Sequence, residues 1–357
     1  MEMEGLTLTL GHTASIAGPI NRAVDFNFPD PFVIQVNGTW YAFATNNAVG
    51  LLNAPNNATA NANYHDNVQI ATSQNFVNWT VLDATENVLP TVGAWAVQGA
   101  ISTAPYTPGA AVWAPTAFQR PSDNKWVLYY SAKDGSSKNS HCIGASVSSS
   151  DSILGPYVPV DTSFACPIKQ GGAIDPASFI DDDGSVYIAY KVDGNNKGNG
   201  GACGNTVAPI HSTPIMLQKV EDDGVTPDGN AIQILDRTNA DGPLVEAPSL
   251  AKVNGTYFLF FSSGCTRDPS YTVKYAWSST IDGPYTRANH DLLQSGNWSL
   301  SAPGSCSVAQ DANGHWGIAF HARVSTPQGG AREMFTAGLN FNGTAVTIVN
   351  YTNETRS

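Results

Sequence analysis

The chain has 357 residues, 42% of them hydrophobic, and a formal net charge of −12 with only 17 Lys and Arg. That balance provides no cationic surface for neutralising phosphates, which excludes nucleic acid and an anionic membrane surface as partners. No apolar run approaches bilayer-spanning length, and a chain of this size suits one large closed β architecture.

The amino-terminal "MEMEGLTLTL" lacks the basic start and apolar middle of a signal peptide and reads as a short added leader before a mature chain. Five segments then share one layout: a polar or small residue, a proline, an apolar stretch, a turn and an aromatic-rich strand. They are "DPFVIQVNGTWYAFAT" from Asp30, "APTAFQRPSDNKWVLYYSA" from Ala114, "DPASFIDDDGSVYIAYK" from Asp175, "EAPSLAKVNGTYFLFFSS" from Glu246 and "APGSCSVAQDANGHWGIAFHA" from Ala302. Each predicts two strands joined by a tight hairpin, because Asn-Gly and Asp-Gly supply the positive-φ residues such turns need.

Most repeats continue into a third strand, as in "VQIATSQNFVNW" and "VKYAWSSTIDGPY", and amphipathic helical stretches are almost absent. Recurrence of a small antiparallel sheet at this spacing predicts an all-β fold, a five-bladed β-propeller. We expect a single domain over 1–357, with blades of roughly 27–100, 101–170, 171–240, 241–300 and 301–350. A two-sheet sandwich explains a fivefold recurrence less well.

In a propeller the first strand of each blade lines the central axis, so equivalent residues converge on one funnel. Asp30, Asp175 and Glu246 are expected to share that place in repeats one, three and four. An Asp before Pro is commonly only a turn residue bonded to a nearby amide. Three acids drawn together repel one another, and a fold tolerates this mainly where one must stay protonated or a cation intervenes. Glycoside hydrolysis asks for a proton donor and a second carboxylate that activates water or attacks the sugar.

The motifs "FPDPFVI", "VWAPTAF", "AIDPASFIDDDG" and "VEAPSLAKVNGTYFLFFSSG" resemble glycoside hydrolase family 43, the five-bladed propeller enzymes that include α-L-arabinofuranosidases, β-xylosidases and arabinanases. The resemblance runs from about Asn27 to Gly343. It implies Asp30 as general base, Glu246 as general acid, and Asp175 as the residue that keeps Glu246 protonated and oriented. It also implies inversion, which needs room for a water, so base and acid stand about 6.5–9.5 Å apart. The retaining invertase-type propellers show Asp-Pro-Asn-Gly, Arg-Asp-Pro and Glu-Cys, where this chain has "DPFV", "IDPA" and "EAPS".

By the same resemblance Trp113 borders the sugar, Trp95 adds a second aromatic, Ile174 flanks the orienting Asp, Arg332 reaches substrate hydroxyls and His321 belongs to the last blade's site. Indoles stack on sugar faces, yet Trp95 between blades, His321 in the core and Arg332 at the surface are equally ordinary placements. Many members carry Pro-Gly-His in the fifth repeat, where this chain has "APGSCSV" with Ser305. The change argues against a structural calcium, "DDDG" at 181–184 reads as a turn, and no cofactor is required.

Segments 46–67 and 193–214 exceed what hairpins need, so they are expected to narrow the funnel into a pocket that favours terminal or side-chain sugars. Cys203 suggests that the second is tethered. Of the five cysteines, Cys265 and Cys306 are expected to pair, with the others open. Sequons at Asn37, Asn57, Asn78, Asn254, Asn297, Asn342, Asn350 and Asn353 suit a secreted glycoprotein. The expected function is release of pentose, chiefly α-L-arabinofuranose, from plant cell-wall arabinoxylan or arabinan oligosaccharides, by a monomer. The alternatives are a β-xylosidase on the same site and a carbohydrate-binding propeller without turnover.

Overall fold

Each repeat folds into the hairpin that its turn residues demand. In the first, Asn37 and Gly38 take φ of 50° and 81° between β2 (Phe32–Val36) and β3 (Thr39–Thr45), the twist that a two-residue hairpin turn requires. The computed structural model describes residues 18–46, 67–82, 87–98, 112–137, 139–324 and 330–351, and they form the expected all-β, five-bladed propeller.

Blade one adds β4 (Val68–Ser73) and β5 (Thr80–Val81). Blade two is β6 (Trp113–Gln119), β7 (Trp126–Lys133), β8 (His141–Ser148) and β9 (Tyr157–Pro159). Blade three is β10 (Ala173–Ile180), β11 (Val186–Val192), β12 (Ile215–Val220) and β13 (Ile232–Leu235). Blade four is β14 (Val245–Val253), β15 (Thr256–Ser263), β16 (Thr272–Ser278) and β17 (Thr286–Arg287). Blade five is β18 (Ser301–Gln310), β19 (Trp316–Arg323), β20 (Glu333–Asn342) and β21 (Ala345–Val349), and all neighbouring strands are antiparallel.

Sequence reasoning starts the first blade at 27 and assigns no strand before it. The structure places β1 (Ile20–Val24) in blade five, pairing Ile20 with Ala337 and Val24 with Met334. The stretch "INRAV" is short and lies outside the repeat, so only its partner reveals it. By joining the start of the chain to its last blade, β1 ties the ring shut.

The core is five separate apolar layers, one between each pair of adjacent blades. Phe43, Ile70, Leu128 and Tyr130 fill the layer between blades one and two, and Tyr129, Ile143, Ile188 and Tyr190 the next. Leu217, Leu259 and Phe261 pack between blades three and four, Phe258, Phe320 and Phe335 between four and five, and Trp40, Phe76 and Met334 between five and one. A blade is therefore buried on both faces, which is why strands such as "YFLFFSS" are continuously apolar rather than alternating.

The expected Cys265–Cys306 pair does not form. The disulfides are Cys142–Cys166 and Cys203–Cys265, and Cys306 is a buried free thiol. Cys306 sits within the innermost strand of blade five, whereas Cys265 lies just past the end of β15, where the 193–214 loop arrives. That loop is tethered as Cys203 suggested. The other long loop lies almost wholly outside the described residues, since 47–66 are not among them.

The Cys203–Cys265 bridge closes 62 residues of chain, and by loop-closure entropy this stabilises the fold by about 2–4 kcal/mol. A Cys203→Ser/Cys265→Ser double variant is expected to melt several degrees below the parent. Calorimetry checks this.

Candidate active site

Every blade enters the axis through a kinked X-Pro step. Asp30, Ala114, Asp175, Ala247 and Ala302, each followed by proline, all have φ between 42° and 58°. Left-handed backbone is unusual for non-glycine residues and costs on the order of 1–3 kcal/mol each, so five repeats of it mark a feature that the architecture imposes. In blades two to five the pairing of the first two strands is interrupted at this step, between Trp113 and Thr116, Ile174 and Ala177, Glu246 and Ser249, and Ser301 and Gly304.

This alignment corrects one expectation. Ala247, not Glu246, is the counterpart of Asp30 and Asp175 in blade four. Glu246 stands one residue earlier, in the slot of Trp113 and Ile174. Asp30, Asp175 and Ala247 nevertheless wall one axial cavity of about 50 Å³, together with Ser305 and Cys306.

A side chain accepts the backbone N–H of each X-Pro residue. Thr45 Oγ1 accepts from Ala114 at 2.8 Å, Ser131 Oγ from Asp175 at 3.0 Å and Ser295 Oγ from Ala302 at 2.9 Å. The Asp175 carboxylate accepts from Ala247 at 3.0 Å, and His321 Nδ1 from Asp30 at 3.1 Å. The kinked backbone is thus satisfied without secondary-structure bonds.

Asp30 sits in a cationic setting. Its Oδ2 accepts from Thr45 Oγ1 at 2.6 Å, and Arg332 Nη1 lies 3.4 Å from Oδ1 and 3.5 Å from Oδ2. Burial opposes its charge, but the Arg332 guanidinium and the Thr45 hydroxyl outweigh that cost and hold the Asp30 carboxyl well below the usual carboxylate range. His321 is fully buried, and burial pushes it down to about 4 against the pull of Asp30. A neutral ring that accepts the Asp30 N–H through Nδ1 carries its proton on Nε2. The approach of the same Nδ1 to Asp30 Oδ1, at 3.2 Å, is therefore contact without a hydrogen bond.

Glu246, 9% exposed, is held from two sides. Lys191 Nζ donates to Oε2 at 2.8 Å and the Tyr271 hydroxyl donates to Oε1 at 2.8 Å. Lys191 comes from β11 of the preceding blade, is fully buried, and also meets Asp193 Oδ1 at 2.9 Å. Burial works against its charge, yet Asp193, Glu246 and Asp175 prevail and raise it. Asp175 is driven the opposite way from Asp30: burial first, then the charge of Glu246, lift it well above the ordinary value, and Lys191 offsets only part of this. The site divides into an acid held as carboxylate and a pair of acids sharing one cation.

The structure thus brings Asp30, Asp175, Glu246, His321 and Arg332 together. His321 stands behind Asp30 with no exposed surface, so its contact is with the acid rather than with the funnel mouth. Arg332, 7% exposed, pairs with Asp30 instead of lying at the surface. Trp113 is half-buried and stacks on the His141 imidazole, centroids 3.7 Å apart. Trp95 is packed in blade two against Tyr130, over Gly93 and Gly144, and Ile174 is buried beside Asp175.

Lys191 and Tyr271 are absent from the sequence-based list. A signal for Lys191 exists in "VYIAYKV", since a lysine inside a strand buried on both faces needs an anionic partner. Tyr271 has no such signal, because it lies in a turn before β16. Its ring occupies the space where Gly304 has no side chain, and a Cβ there would fall 1.9 Å from a ring carbon. Gly304→Ala should push Tyr271 off Glu246 and lower kcat by about 10²-fold, the scale of a 1 Å misplacement, with little change in the circular dichroism spectrum.

The fold and the site define a five-bladed propeller with buried acids of opposed electrostatic setting at its axis. Residues 21–345 match the family described as Glycosyl hydrolases family 43, and the chain belongs to it. It is 27% identical over 331 residues to the arabinoxylan arabinofuranohydrolase of Bacillus subtilis (strain 168), covering 86% of this chain and 58% of that protein. It is also 27% identical over 292 residues to the extracellular endo-alpha-(1->5)-L-arabinanase 1 of the same organism, covering 78% and 76%. Among solved structures, a thermostable family-43 glycoside hydrolase superposes with a TM-score of 0.69 at 21% identity, over 95% of this chain and 98% of that one. The chain thus spans little more than half of the arabinofuranohydrolase.

Proposed function

We propose that this protein is an inverting glycosidase that releases terminal or side-chain α-L-arabinofuranose from arabinoxylan or arabinan oligosaccharides. The observation that carries the reading is the electrostatic split between Asp30 and the Asp175–Glu246 pair. Asp30, kept ionised by Arg332, takes a proton from the attacking water as its oxygen bonds to the anomeric carbon. Glu246 gives its proton to the glycosidic oxygen as the C–O bond breaks, and Asp175, which burial and the charge of Glu246 keep from ionising alongside it, holds one proton on the pair. The chemistry calls on no cofactor.

Relatives named for arabinoxylan and arabinan support the substrate class. The tethered 193–214 loop supports a closed pocket over a groove. Secretion as a glycoprotein is supported by two disulfides and by exposed sequon asparagines at Asn37, Asn78, Asn254 and Asn342. Asn57 and Asn353 lie outside the described residues.

The test is hydrolysis of nitrophenyl α-L-arabinofuranoside and nitrophenyl β-D-xyloside, with the first-formed anomer read by proton NMR. Faster turnover of the arabinofuranoside with inversion is expected. Preference for the xyloside would make the protein a β-xylosidase, and sugar binding without turnover would make it a lectin.

A further inference from the structure

The contacts of Glu246 determine which of its oxygens can carry the acid proton. An ammonium only donates and repels a proton placed beside it, so the oxygen facing Lys191 Nζ, Oε2, is the one favoured to stay bare. The other partner, Tyr271, has a hydroxyl that can donate or accept, and Ser262 lies within its hydrogen-bonding reach. The mobile proton therefore belongs on Oε1. When Oε1 is protonated the Tyr271 hydroxyl turns towards Ser262, and when the proton has left it turns back.

We propose that Lys191, held by Asp193, is a positioning residue for glycosidic-bond protonation: it fixes the acid proton on Glu246 Oε1 and stabilises the carboxylate that remains after transfer. The proposal rests on the hydrolase reading above. Ordinary salt-bridge stabilisation of the fold is a poor explanation for this lysine, since burying an ion pair gains little over an apolar pair of similar volume. A cation placed 2.8 Å from an acid that must lose its proton acts on the charge developing there.

Lys191 also faces the acid from a strategic place. Asp193 opens the 193–214 loop, whose far part is bonded through Cys203 to Cys265 beside β15. The same ammonium thus joins blade three, the start of the 193–214 loop and the acid of blade four. Among the described residues, the remaining charged or titratable groups around Glu246 are Asp175 on β10, Tyr271 before β16, Asp30 and its partners Arg332 and His321, and Arg323 on β19.

Two variants separate this role from a structural one because they push in opposite directions. Lys191→Met removes the cation, so the loaded acid persists to higher pH and the alkaline limb of kcat/KM should move up by about one pH unit. Asp193→Asn leaves Lys191 attending Glu246 alone, and the same limb should move down. With an alkyl arabinofuranoside, whose leaving group needs the proton, Lys191→Met should lose about 10²-fold. With the dinitrophenyl glycoside, which leaves unaided, the loss should stay within about threefold, the difference being the acid's contribution.

Equal losses on both glycosides, or unshifted limbs in an active wild type and variants, would overturn the proposal alone. If Lys191→Met does not fold, Asp193→Asn decides: a downward limb supports the assignment and an unmoved one refutes it. A wild type that hydrolyses neither glycoside removes the hydrolase reading and this proposal with it.

Discussion

Asp30→Asn is expected to lower kcat by about 10²–10⁴-fold, the usual worth of a positioned general base, while the propeller stays folded. An amide can still accept from the Thr45 hydroxyl and can point at the attacking water, but it cannot take the water's proton. Asparagine also tolerates left-handed backbone better than most residues, so the φ of 55° at this position is no obstacle. The loss should be the same for alkyl and nitrophenyl glycosides, because the base acts on the nucleophile and is indifferent to what departs.

The pH dependence follows from the same setting. Arg332 and Thr45 hold the Asp30 carboxyl below the usual carboxylate range, and a base with a depressed pKa stays in its working form as the medium turns acidic. The acid limb of the wild-type profile should accordingly lie below pH 4, beneath that of an unperturbed aspartate. Rates for Asp30→Asn within tenfold of wild type on both glycosides would take Asp30 out of the mechanism.

The architecture was legible because it is periodic. Five X-Pro steps followed by hairpin turns carry the propeller in local sequence, and the acids stand out because charge is rare in strands buried on both faces. What sequence reasoning lost lies in relations between blades. Glu246 looked equivalent to Asp30 and Asp175 because all three precede or nearly precede a proline, yet a one-residue offset moves it into the slot of Trp113 and Ile174. His321 matched a family position, but its work of accepting the Asp30 N–H across the closure of the ring appears only when blade five meets blade one. The cysteines failed for the same reason: Cys265 and Cys306 each read as lying near the edge of a strand, but Cys306 lies inside β18 and the loop that carries Cys203 reaches Cys265 through space.

Glu246→Gln should give a loss of similar size but of different character. Glutamine nearly matches the shape of glutamate and can satisfy both neighbours, its carbonyl accepting from Lys191 and its amide donating to the Tyr271 hydroxyl. Stability should therefore change little, although the pairing of Lys191 is then left to Asp193. What disappears is the transferable proton. For an alkyl arabinofuranoside, whose alkoxide leaves only when protonated, kcat/KM should fall by about 10²–10⁴. For the dinitrophenyl glycoside the fall should be under about tenfold, since the departing phenolate needs little of the acid's usual contribution. The alkaline limb of the pH profile should vanish with the group that produces it, which separates an acid from a residue that only shapes the pocket. A uniform loss across leaving groups with the limb intact would pass the acid role to Asp175, the other carboxyl that burial and its neighbour's charge keep protonated most readily.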